Sequence, residues 1–166
     1  MGEFVFLNRT RYDVSPTLTI LGCTLWSALN PNDLDILSWS LTDFKHIDSF
    51  KSSSYESAHK VDLDWLTSTL EDIRSSSSVR RVAIFTHHAP TVEGTGDPKY
   101  IDGPTNSAFA TELKDTPCWG SPVIFWAFGH THWNCDFKQQ GVRVFSNQRG
   151  YGQTGRDFDP SKVVLL

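Results

Sequence analysis

No run of residues in this chain is long and apolar enough to suggest a membrane span. The opening stretch, MGEFVFLNRTRY, also lacks an apolar core of signal-peptide length. Cysteine is scarce: Cys23, Cys118 and Cys135 are an odd, widely spaced set without a CxxC pair. That excludes a disulfide framework and points to reduced thiols in a cytoplasmic setting. Basic charge is not in excess either. The formal net charge is -4, the pI is about 5.8 and no Lys/Arg run occurs, so neither nucleic acid nor an anionic membrane is indicated as a partner. Asn8-Arg9-Thr10 matches the glycosylation pattern, and without a secretory signal it reads as coincidence. There is no internal repeat, and SSSS at 75–78 reads as a linker between a helix and a strand. What is present is 166 residues with 39% hydrophobic and 13% aromatic side chains, which predicts one globular domain over 1–166.

Apolar runs bounded by turn residues predict strands in FVFLN (4–8), TLTILGCTLW (17–26), Val82–Phe85, VIFWAF (123–128) and VRVFS (142–146). Leu34, Leu37, Leu41, Phe44 and Ile47 recur at helical steps. Leu63, Leu66, Leu70 and Ile73 make a clearer stripe, with Asp62 read as the cap of that helix. The segment 91–106, rich in Gly, Pro, Asp and Thr, is a long loop, after which Thr105 or Asn106 is expected to cap a short helix in SAFATELKD. The alternation describes an α/β domain with a mixed sheet flanked by helices, and the strands within 123–146 are expected to pair antiparallel.

The histidines carry the chemistry. His87 and His88 follow one apolar strand, and His130 and His132, in AFGHTHWN, follow another. Ligands in open α/β sheets gather at strand carboxyl ends. If the two strands are neighbours, His87, His130 and His132 converge as metal ligands, with Gly129 supplying the sharp turn. His88 is a further candidate ligand, or else orients its neighbour or contacts substrate as the catalytic group. His46 and His59 read as structural. Asn147 and Arg149, after the last strand, are candidates for substrate binding. Arg149 suits a phosphate through its planar fork, or else simply pairs with a surface carboxylate.

FTHHAP followed some forty residues later by FGHTH resembles the last two metal motifs of the calcineurin-like metallophosphoesterases. FLNRTRYD, LGCTLWS, DLDWL, FATEL and FSNQRGY resemble the fungal branch of that family over essentially the whole chain. The resemblance implies an αββα sandwich and a two-metal centre of Mn, Fe or Zn that hydrolyses a phosphate ester. In that pattern His87 and His130 share one divalent metal ion and His132 serves the other. The family's earlier motifs, DxH, GDxxD and GNHD or GNHE, are not found; Gly96-Asp97 is the sole Gly-Asp pair, in a loop. The chain is therefore expected to correspond to the carboxyl-terminal half of that domain. Three neutral imidazoles are expected to hold at most one cation, since no carboxylates offset a second. An open sheet face is expected to drive self-association. Two alternatives stand beside the phosphoesterase: a mononuclear three-histidine zinc hydrolase, and a non-catalytic remnant or interaction module.

Overall fold

The computed structural model describes residues 3–77, 79–151 and 157–166. Met1, Gly2, the last serine of the SSSS linker and Gly152 of NQRGYG lie outside them. Six strands form one mixed sheet: β1 (Thr10–Ser15), β2 (Leu18–Cys23), β3 (Arg81–Thr86), β4 (Val123–Ala127), β5 (Cys135–Gln139) and β6 (Val142–Ser146). Their order is β1-β2-β3-β4-β6-β5. β2, β3, β4 and β6 run parallel, while β1 and β5 are antiparallel edges. The crossover from β2 to β3 carries α1 (Leu34–Ser40), α2 (Asp43–His46) and α3 (Ser52–Ser75).

The α/β class and the mixed sheet are as expected, with local differences. FVFLN is not a strand. It pairs with no strand, and its Leu7 lies against Gly22, where an added Cβ would come within 2.7 Å of the Leu7 Cβ. β4 pairs in parallel with β6, so only β5 and β6 form the expected antiparallel hairpin. α3 starts ten residues before Asp62, so Asp62 is a mid-helix residue and not a cap. SAFATELKD yields one turn of 3-10 helix, Asn106–Ala108, with no side-chain cap.

α3 buries Leu66, Leu70 and Ile73 against one face of the sheet, where they meet Leu21, Val82, Ile84, Trp126 and Val144. The i, i+4, i+7 spacing puts these three residues on one stripe, and burial of an aliphatic side chain there contributes about 1.5–3 kcal/mol. A second, smaller core joins α1, the start of α3 and the 105–109 turn through Leu37, Leu41, Tyr55 and Ala108. On the opposite sheet face Phe85, Phe125 and Phe145 form a row across three adjacent strands, with ring centroids 6.0 and 5.8 Å apart. No helix among the described residues is long and apolar enough to cross a membrane.

Candidate metal centre at the strand ends

Parallel strands place their carboxyl ends on one edge of the sheet, and four segments meet there. β2 runs into Thr24–Ser27, β3 into His87 and His88, β4 into Gly129–His132, and β6 into Asn147 and Gln148. The β3 and β4 ends are locked together by the Gly129 N–H donating to the His87 carbonyl at 3.0 Å. The His87 and His88 N–H groups both donate to the Thr24 carbonyl, at 3.2 and 3.1 Å. The histidine pair is therefore tied by its backbone to the segment after β2.

That segment has an unusual conformation: Leu25 and Trp26 have φ of 72° and 48°. For residues with a Cβ the left-handed region costs about 1–2 kcal/mol each, so the surroundings must hold it. α3 does so with two buried side chains. Asp62 accepts from the Leu25 N–H at 2.8 Å, and the His59 Nδ1 lies 2.8 Å from the Leu25 carbonyl. Arg9 in turn pairs with Asp62 at 2.7 Å. His59, read from the sequence as structural, is buried in this contact.

One ring nitrogen from each of His87, His88 and His130, available to a metal ion, lies within 4.8 Å of the others. Ring centroids are 4.6 Å apart for His87–His130 and 4.3 Å for His88–His130. Phe109 stacks on the outer face of His130 at 4.5 Å. His88 is buried and its Nδ1 lies 2.8 Å from the Ser27 hydroxyl. His87 is exposed and His130 half-buried, so the group opens to solvent on one side. Burial, and then the neighbouring His130 and His87, push His88 down to about 2. Burial and His87 bring His130 to about 4, against an opposing pull from Asp43. His87 is also lowered, chiefly because the groups packed around its ring strip part of its hydration although the residue reaches solvent. The three rings are neutral at physiological pH, and each neutral imidazole has one nitrogen lone pair to offer.

His132, expected beside His87 and His130, is outside this three-way group. It is exposed, its ring meets Tyr151 edge-on at 4.6 Å, and it lines a cavity of about 470 Å³ together with His130, Asp43, Asn106 and Phe109. The turn expected at Gly129 falls on the histidines themselves, with φ of 66° at His130 and 53° at His132. Gln148 holds this strained loop: its Oε1 accepts from the His132 N–H at 2.8 Å, and its Nε2 donates to Thr131 and Trp133, both at 3.1 Å. Asn147 uses its side chain on the backbone of Asp159, and Arg149 is exposed, outside the residues that line the cavity. Sequence reading passes over Ser27, Gln148 and Asp43. Asp43 is the carboxylate whose charge bears on both His87 and His130 from the α2 side of the cavity.

The donor set fits one borderline metal ion. Three neutral nitrogens with an open side match a site that holds a cation and leaves a coordination position free, and the group contains no carboxylate to offset a second ion.

Fold and site together define an α/β domain with a three-histidine cluster at the carboxyl edge of a parallel sheet. No family model matches the chain, and no solved structure matches it. An uncharacterized protein of Acanthamoeba polyphaga mimivirus is 29% identical over 177 aligned residues, covering 98% of this chain and 60% of the viral protein. The chain thus spans about three-fifths of that relative's length.

Proposed function

We propose that the chain carries the histidine half of a metal-dependent phosphoesterase of the calcineurin-like kind, within an αββα sandwich. The observation that supports this reading most is the meeting of neutral imidazoles from two adjoining parallel strands at one open edge. In this reading His87, His88 and His130 hold a single divalent cation such as Zn, Mn or Fe. His88 takes a ligand's place in this arrangement, and His132 is left on the cavity wall to meet a phosphate oxygen. Such a cation, when bound, supplies Lewis-acid charge for phosphoryl oxygens and lowers the pKa of water toward neutrality.

The chain's own groups complete the site. Phe109 covers one side of His130 and keeps water from it. Asn106 and His132 offer donors to a phosphate in the cavity, and Asp43 balances positive charge from the opposite wall. Exposed apolar side chains, Phe4 and Phe6 among them, support self-association of the chain, whereas Phe125 in the middle of the aromatic row is buried. Size-exclusion chromatography with light scattering reads it directly.

The test of activity uses the purified chain with Zn²⁺ or Mn²⁺ and two chromogenic substrates, p-nitrophenyl phosphate and bis(p-nitrophenyl) phosphate. Turnover that disappears with EDTA and falls at least tenfold in His132→Ala supports the proposal. Metal-loaded protein inert toward both esters overturns it in favour of the interaction module.

A further inference from the structure

The cavity beside the histidine cluster has walls of two kinds. Leu41 and Phe109 are apolar, and Phe109 also stacks on His130 at 4.5 Å. Asn106 and His132 bring polar groups to the same space of about 470 Å³. Its fixed charges are negative: Asp43 and Asp97 both line it, and among the described residues no Lys or Arg does. The two carboxylates differ. Asp97 is paired with Lys99 at 2.9 Å, whereas no described Lys or Arg forms an ion pair with Asp43. Asp43 is half-buried as the first residue of α2.

We infer that this cavity selects phosphodiesters over phosphomonoesters, and that Asp43 is the residue that sets the choice. The inference rests on the phosphoesterase reading above and narrows its substrate class. A phosphomonoester loses its second proton at about pH 6 and is a dianion near neutrality, while a diester keeps a single charge. Sites for the dianion answer it with the planar fork of Arg or the ammonium of Lys. Here the described lining presents a carboxylate instead. One divalent ion on three neutral imidazoles brings two positive charges, and Asp43 offsets one of them. Attraction to the remaining charge is twice as strong for a dianion, but taking a dianion out of water costs about four times as much as a monoanion, since the Born cost grows with the square of the charge. Without the ion the order is the same, because Asp43 repels the dianion more strongly. At the few-ångström separations that a cavity of this size imposes, one added like charge costs about tenfold in affinity. The second ester arm of a diester puts an apolar group where a monoester has a charged oxygen, and Leu41 and Phe109 give that group a surface to cover.

The probes are phenylphosphonate and methylphenylphosphinate. They differ by one oxygen exchanged for a methyl group, contain no ester bond to hydrolyse, and carry two charges and one at pH 8. Each is titrated into the ¹⁵N-labelled, metal-free chain at low ionic strength, with the amides of Asp43, Asn106 and His132 as reporters, and then into the Zn²⁺-loaded chain by calorimetry. The metal-free wild type is expected to prefer the phosphinate about thirtyfold, about tenfold from charge and about threefold from the methyl group. The loaded wild type is expected to keep a phosphinate preference. Asp43→Asn and Asp43→Ser shift the ratio about tenfold toward the phosphonate in both states, and Asp43→Glu keeps the wild-type ratio. Circular dichroism confirms that the compared variants are folded. A wild type that binds the phosphonate as tightly as the phosphinate, a ratio indifferent to both Asp43→Asn and Asp43→Ser, or binding of neither probe in either state overturns the inference. A phosphinate preference that depends on Asp43 in a chain that takes up no Zn²⁺ upholds the cavity's selection and removes the metal reading instead.

Discussion

Replacing Asp62 by alanine should disturb the site from a distance, and the size of the effect follows from its partners. The Asp62 carboxylate is 1% exposed, accepts from the Leu25 N–H at 2.8 Å and pairs with Arg9 at 2.7 Å. Losing a charge-assisted bond to a buried N–H is worth about 1.5–3 kcal/mol. Arg9 is 39% exposed and turns to water once released, so the lost pair adds no more than about 1 kcal/mol. The total is about 3 kcal/mol, a fall in thermal midpoint of about 6–12 °C for a chain of this size. Arg9→Ala strands the buried carboxylate, and such a loss costs about 3–5 kcal/mol. The double variant should then be no less stable than Asp62→Ala alone. Denaturant titrations of the wild type, both single variants and the double variant close the cycle. An Asp62→Ala variant within about 0.5 kcal/mol of the wild type, or strictly additive losses, would refute the idea that this pair holds the Leu25–Trp26 conformation.

Acid should weaken the fold through the histidine cluster. His88 and His130 take up protons in the unfolded chain near 6.5 but stay neutral when folded down to about 2 and about 4, so the folded state binds fewer protons in that window. Stability is then complete above about 6.5 and declines on acidification by about 1.4 kcal/mol per pH unit for each group. Thermal scans in EDTA from pH 7.5 to 4.5 measure this, and a flat profile contradicts it. Gln148→Ala frees the loop that bears His130 and His132, removing three hydrogen bonds. A loss of about 1–3 kcal/mol is expected, together with a Zn²⁺ affinity at least tenfold weaker by calorimetry; unchanged affinity would mean that the loop holds its strain without it.

What was readable in the sequence follows from where each residue sits. Val82–Phe85 and VIFWAF are continuous apolar runs because β3 and β4 are central parallel strands, buried on both sides, and their histidines fall directly at the ends. β1 and β5, as edges, alternate half-buried and exposed residues such as TRYDVS and CDFKQ, and do not stand out from loops. FVFLN misleads in the other direction: Leu7 lies against Gly22, but Phe4 and Phe6 stay exposed and the segment joins no strand. The start of α3 is masked by the serines of SSSYES, poor helix formers that tertiary contacts through Tyr55 and His59 override. The candidate site was half legible. Strand-end placement points from sequence alone to His87, His130 and His132 as ligands with His88 beside them, and the structure exchanges His132 for His88. The left-handed φ of His130 and His132 decides which rings meet, and no local motif announces it. Ser27 reaches His88 across 61 residues, and Gln148 reaches His132 across 16, so both contacts exist only once the sheet has assembled.

Metal uptake tests the central claim most directly. Native mass spectrometry and calorimetry of the chain titrated with Zn²⁺ should give one ion per chain in the wild type. Binding should be lost in His87→Ala and His130→Ala, sharply weakened in His88→Gln, and retained in His132→Ala. A wild type that takes up no ion, or a His130→Ala variant that binds as well as the wild type, would contradict the account.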